Sequence, residues 1–291
     1  MIKSIHYIVA TIFLSILVGN NGNVLSNNSK GHLIIIGGGN RPDYMMEKIF
    51  ELAGGNNANF LIIPNASSDP VETGKYYMEQ FSESGMKKVD YLALTPETVD
   101  ASESLEKMVG VTGVFFSGGD QSRLTDLMTG TKLLEVLRTL YKEGAVISGT
   151  SAGAAIMSEI MITGNELISL DTTYAFGSIQ AGNIEHVPGF ALVDEAIIDQ
   201  HHIRRMRHNR LISLVMENPH LIGIGIDEGT AIWVKPNRSC EVIGESAVLI
   251  YDAREAEITK AKNGQFHCRG MKFDILLHGD TFNLTSAEYF E

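Results

Sequence analysis

Ala145-Val-Ile-Ser148-Gly149-Thr-Ser151-Ala-Gly153 runs a short apolar segment into a serine flanked by glycines, with a helix predicted to follow. A buried strand, a sharp turn and a helix are the setting of a nucleophile elbow. There the glycines relieve crowding while the turn strains the serine backbone and leaves its hydroxyl exposed. Ser151 is therefore a candidate nucleophile, and the Ala152 amide at the helix start is a candidate donor to an oxyanion. Gly-x-Ser-x-Gly alone is a chance pattern, and its plain alternative is a serine capping the helix; the context gives it weight.

Outward from this stretch the same punctuation recurs. Leu33-Ile-Ile-Ile36 stops at Gly37-Gly-Gly-Asn40, and Phe60-Leu-Ile-Ile63 stops at Pro64. Val89–Leu94 follows, and Gly113-Val-Phe-Phe116 ends in Ser117-Gly-Gly-Asp-Gln121. Helical stretches are predicted over 43–53, 75–85, from about Ser122 and over 133–143. Short apolar runs alternating with amphipathic helices predict an α/β fold, a mostly parallel sheet sandwiched by helices. Ligands bind at the carboxyl ends of such strands, where the small and polar residues lie. The second half is less regular: a Gly- and Thr-rich stretch over 163–189, a helix over 201–217, and strand-like pieces at 221–226, 231–234 and 241–250. No repeat or linker divides residues 27–291, which read as one domain.

The chain has 291 residues, 44% of them hydrophobic, which excludes a disordered or fibrous protein. Its formal charge of −12 speaks against a nonspecific nucleic-acid or anionic-membrane surface. Lys3 precedes the apolar run Ile8–Val18, which is shorter than the roughly 20 residues that span a bilayer. With the small residues before Asn27, this layout predicts a signal peptide over 1–26, hence a secreted or periplasmic protein without a stable membrane anchor. Cys240 and Cys268 would then meet an oxidising compartment, where they either bridge or stay as small apolar residues. There is no CxxC or HExxH, His201-His202 lacks companion ligands, and Pro42 replaces the third glycine of a dinucleotide fingerprint after Gly37-Gly-Gly39. No metal and no cofactor is expected.

A serine at its ordinary pKa needs a base, itself oriented by a third group. The order found in α/β-hydrolases, as in an esterase, would use Asp227 or Asp252 with His267 or His278. The other order is Ser151, His201, Glu228, with the carboxylate just past a predicted strand. Spacing leaves both open.

The motifs taken together resemble the cyanophycinases of the peptidase S51 group, which also holds aspartyl dipeptidases. They are Gly37-Gly-Gly-Asn40, Ile63-Pro-Asn-Ala-Ser-Ser68, Phe116-Ser-Gly-Gly-Asp-Gln121, Gly149-Thr-Ser-Ala-Gly-Ala154, Asp199-Gln-His201 with Arg205, Arg207 and Arg210, and Gly223-Ile-Gly-Ile-Asp-Glu228. The resemblance covers His32 to Val234. It implies a class I glutamine amidotransferase-like fold with serine in place of cysteine, and it selects Ser151 as nucleophile, His201 as base and Glu228 as the orienting acid. It further implies an oxyanion hole at Gly119 and Ala152, and substrate contacts at Gln121, Asp199, Gln200, Arg205, Arg207 and Arg210. The implied substrate is cyanophycin, a polyaspartate backbone carrying arginine on its β-carboxyls and released as β-Asp-Arg; β-aspartyl dipeptides are the alternative. A homodimer is implied too. His202 departs from the aromatic residue usual after the catalytic histidine, and from about Lys235 onward no motif matches.

Overall fold

The five runs read as strands all form in the computed structural model, which describes residues 29–168 and 176–286. They are β1 (His32–Ile36), β2 (Phe60–Ile63), β3 (Val89–Tyr91), β4 (Gly113–Phe116) and β5 (Val146–Thr150). Their mutual pairing is parallel throughout, in the order β1-β5-β4-β2-β3. Because both faces of β2 and β4 and of the Leu33–Ile36 part of β1 are covered, these are apolar runs rather than alternating ones. β3 ends earlier than the sequence predicts, at Tyr91, where the chain leaves the sheet edge.

The remaining strands are β6 (Ile160–Glu166), β7 (Ile184–Pro188), β8 (Ala196–Gln200), β9 (Ile222–Ile226), β10 (Thr230–Val234), β11 (Ser239–Gly244), β12 (Val248–Asp252), β13 (Glu257–Lys260), β14 (Phe266–Arg269), β15 (Lys272–Leu276) and β16 (Thr281–Asn283). β10, β11 and β16 extend the large sheet beyond β1 as antiparallel neighbours. β15, β12, β9 and β8 make a second, four-stranded sheet, and β6–β7 and β13–β14 are separate hairpins. The apolar run predicted over 241–250 is thus two strands in two sheets. Gly244, with φ of 150°, ends the first of them.

The helices are α1 (Asp43–Leu52), α2 (Pro70–Glu83), α3 (Ser102–Lys107), α4 (Gln121–Met128), α5 (Lys132–Glu143), α6 (Ala152–Ala155) and α7 (His208–Glu217). Asp69 starts α2 by accepting from the Glu72 amide with Pro70 in the first turn, and Asp120 starts α4 by accepting from Ser122. One face of the large sheet buries Ile34, Ile36, Phe60 and Phe115 against Met45, Ile49 and Phe81 of α1 and α2. Its other face packs on α4 and α5 through Leu124, Leu133 and Leu137, and on the second sheet through Ile198, Ile224 and Ile250. This is the expected α/β sandwich, with the second sheet standing where helices alone were foreseen. Among the described residues, no helix is long and apolar enough to cross a membrane.

One expectation is corrected, and one open alternative is decided. α7 begins at His208 rather than His201; residues 201–207 instead form tight turns, with φ of 49° at His201 and 50° at Met206. The Asp227 carboxylate holds these turns by accepting from the Ile203 and Arg204 amides at 3.1 and 2.8 Å. Cys240 and Cys268 are both free thiols: the first is buried on β11, the second lies on the outer β13–β14 hairpin. Burial pushes the Cys240 thiol well up, which keeps it protonated and inert. The predicted signal segment lies outside the described residues.

Candidate active site

Ser151 follows β5 directly and has φ 54° and ψ −110°, a conformation costly for any residue with a Cβ. The turn is tight enough that a Cβ on Gly149 would strike the Gly153 carbonyl, and one on Gly153 would strike Phe116. The Ser151 amide donates to the Ile36 carbonyl at the end of β1 (3.0 Å). One residue on, the Gly37 carbonyl accepts from the His201 amide (2.8 Å). The end of β1 therefore ties together two turns that come from different sheets.

His201 Nε2 lies 2.8 Å from Ser151 Oγ, and its Nδ1 lies 2.6 Å from Glu228 Oε1. Nδ1–H donates to the carboxylate, so Nε2 is left to accept the serine proton. Burial lowers the His201 pKa from its ordinary value; the Glu228 hydrogen bond opposes this and the charges of Arg205 and Arg207 assist it. The imidazole is neutral at pH 7, as a base must be. Gly38, with φ 118°, makes room for it, since a Cβ there would run into the His201 ring. The Gly37–Gly39 loop thus seats the His–Glu pair, and the dinucleotide reading of these glycines is set aside.

A cleft of about 290 Å³ opens at Ser151. Gly119, Gln121, Gln200, Arg205, Arg207 and Arg210 line it, as do Thr163, Gly164 and Asn165 of β6. The Gly118–Gly119 loop lies against the nucleophile, a Cβ on Gly118 falling 3.4 Å from the Ser151 Cβ. Among the described residues neither the Gly119 nor the Ala152 amide is taken by another acceptor, so both are available to a developing oxyanion. Gln121 spends its amide nitrogen on the Ile162 and Thr163 carbonyls (2.8 and 2.6 Å), which fixes β6 across the cleft. Nothing in the periodicity of 163–165 marked that wall.

The basic residues separate into three kinds. Arg205 is exposed and makes no ion pair among the described residues. Arg207 donates to both the carbonyl and the side-chain oxygen of Gln200 (2.9 and 2.7 Å), and burial brings its pKa down to about 10. Arg210 is fully buried and paired through two nitrogens with Asp199. Burial opposes the Asp199 charge, but Arg210 and His202 outweigh it and hold the carboxyl far below the ordinary range. The expectation that Asp199 contacts substrate is therefore corrected: its oxygens are occupied and it lies beneath the cleft.

The alternative order of residues does not assemble. Asp227 is spent on the 203–204 amides and Ser246, and Asp252 pairs with Arg254. His278 accepts from the Gly244 amide, and His267 sits on the outer hairpin.

Residues 30–242 match the sequence profile of peptidase family S51. The chain belongs to that family. It is a serine-type peptidase hydrolase of the kind the curated S51 relatives represent. The chain is 34% identical over 272 residues to the cyanophycinase of Synechococcus elongatus, covering 89% of this chain and 81% of that protein. The Geminocystis herdmanii cyanophycinase is 33% identical over 266 residues, 87% of this chain and 94% of its own length. Among solved structures, a peptidase from an acI-B1 Actinobacterium superposes with a TM-score of 0.65 at 21% identity, covering 89% of this chain and 98% of its own. That likeness shows a shared α/β fold.

Proposed function

We propose that this S51 peptidase hydrolyses cyanophycin to β-Asp-Arg dipeptides through a Ser151–His201–Glu228 triad and an acyl-enzyme. The carrying observation is the continuous contact from Ser151 Oγ through both His201 nitrogens to Glu228, at 2.8 and 2.6 Å. The substrate follows from the relatives named cyanophycinase. Ser151 Oγ attacks the scissile carbonyl as its proton passes to His201 Nε2, and the new oxyanion accepts from the Gly119 and Ala152 amides. His201 then gives that proton to the leaving amine. Water, deprotonated by the same nitrogen, hydrolyses the ester. Arg205 and Arg207 offer charge to a substrate carboxylate. Export through a signal peptide over 1–26 belongs to the same reading, and places the enzyme where polymer released by other cells is found.

The test is incubation of residues 27–291 with purified cyanophycin and with α- and β-aspartyl dipeptides, products being read by mass spectrometry. β-Asp-Arg from the polymer is the expected product; cleavage of dipeptides alone would move the substrate to the dipeptidase side of the family.

Two further outcomes are expected. With His201 held below its ordinary 6.5, kcat/KM should stay level through neutral pH and fall only as acid protonates the imidazole, with a midpoint below 6.5. A midpoint above 6.5 in the pH–rate profile would contradict the desolvated base. Gly38→Ala should lower kcat by about a hundredfold, because displacing the imidazole by an ångström spoils the attack geometry. Steady-state kinetics alongside a melting curve separates this from simple unfolding.

A further inference from the structure

Beneath the catalytic histidine lies a set of buried polar rings that the mechanism above does not use. His202, next in sequence to His201, is fully buried, and its ring rests on Gly225 of β9, where any Cβ would collide with it. Its Nδ1 is 3.2 Å from Asp199 Oδ2, and its Nε2 is 3.0 Å from the hydroxyl of Tyr251 on β12. The same hydroxyl is 2.7 Å from Nδ1 of His208, at the start of α7 and half-buried. The rings of His208 and Tyr251 both meet the His202 ring edge-on.

Proton accounting gives these contacts one direction. Asp199 is ionised against Arg210 and can only accept, so His202 donates from Nδ1. A neutral His202 then accepts at Nε2, from the Tyr251 O–H. The Tyr251 oxygen in turn accepts from His208 Nδ1–H. Three bonds thus run from α7 through β12 to the end of β8, each polarising the next.

The terminus of this chain matters to the reaction. Asp199 Oδ1 accepts from the Gln200 amide (2.8 Å), and the residue after Gln200 is His201 in its positive-φ conformation. We propose that His208, Tyr251 and His202 are positioning residues that hold the catalytic His201 turn in place through Asp199. The proposal rests on the triad reading. It also accounts for the departure at position 202: a phenyl ring there would fill the space and leave the Tyr251 O–H without its acceptor and one Asp199 lone pair without its donor.

The test uses a fluorophosphonate, whose rate of reaction at Ser151 reports the activated nucleophile without any assumption about substrate. Tyr251→Phe and His202→Phe should each slow labelling and lower kcat about tenfold, with KM nearly unchanged. The double variant should be no slower than the slower single, since removing both partners leaves no orphaned hydroxyl. At the half-buried end, where folding is least at risk, His208→Asn keeps an N–H near the Nδ1 position and should label faster than His208→Ala. Singles that label at the unsubstituted rate, a double variant showing the product of the two losses, or a change confined to KM would overturn the proposal. Absence of Ser151 labelling in the unsubstituted chain would instead bring down the triad, and this inference with it.

Discussion

Ser151→Ala is expected to cut turnover by about 10⁶ while leaving the melting temperature close to that of the unsubstituted chain. The magnitude is that of a lost triad nucleophile, where the surviving oxyanion donors and binding sustain only a small residual rate. The fold should tolerate the change for two reasons. The elbow is set by backbone bonds, the Ser151 amide to Ile36 among them, and by the bare glycines around it, all of which the variant keeps. The lost hydroxyl faces the cleft and, among the described residues, bonds only His201, so no buried group is orphaned. Turnover measured by mass spectrometry on the matched pair is the check, and a rate within tenfold of the original would remove Ser151 from the nucleophile role.

Arg210→Met should destabilise the protein by about 3–5 kcal/mol, because it strands the Asp199 carboxylate beneath the cleft with only a histidine and one amide to face. The pH dependence carries a definite sign. With Arg210 present, Asp199 has a folded pKa below its unfolded one, so its stabilisation is present above the unfolded value and is lost only in strong acid. Without Arg210, burial dominates and raises that pKa, so the deficit is largest at neutral pH and shrinks as acid protonates Asp199. Pairing the change with Asp199→Leu should recover most of the loss, since apolar replacement of both partners removes the stranded charge. Urea unfolding at pH 7 and pH 4 for the single and double variants tests this, and equal losses at both pH values would contradict it.

The parallel half of the large sheet was legible because β1, β2 and β4 are apolar runs closed by glycine, proline or serine. The elbow could be read because its neighbours are local in sequence. The base and acid were not readable on the same terms. Asp227 and Glu228 are adjacent carboxylates after one strand, and only the path of the chain turns one toward His201 and the other beneath the 203–204 amides. Family resemblance, not spacing, chose between them. The helix start at His208 was misplaced because the apolar positions Leu211, Leu214 and Val215 extend a helical pattern backward, while positive φ at His201 and Met206 leaves no trace in side-chain polarity. Asp199 was taken for a substrate contact on the family resemblance; its burial in an ion pair with Arg210, eleven residues away, has no local signature in the sequence.

The tie at the end of β1 also sets a timetable. Ser151 follows β5, whereas His201 and Glu228 arrive with β8 and β9, and all three meet only when the second sheet closes on the first. During synthesis the amino-terminal strands emerge and pair before β8 and β9 exist, so the unfinished chain carries a serine without a base. On the triad reading, the unfinished chain is inactive until the second sheet closes on the first. On that reading, hydrolytic power appears in the same event that completes the fold.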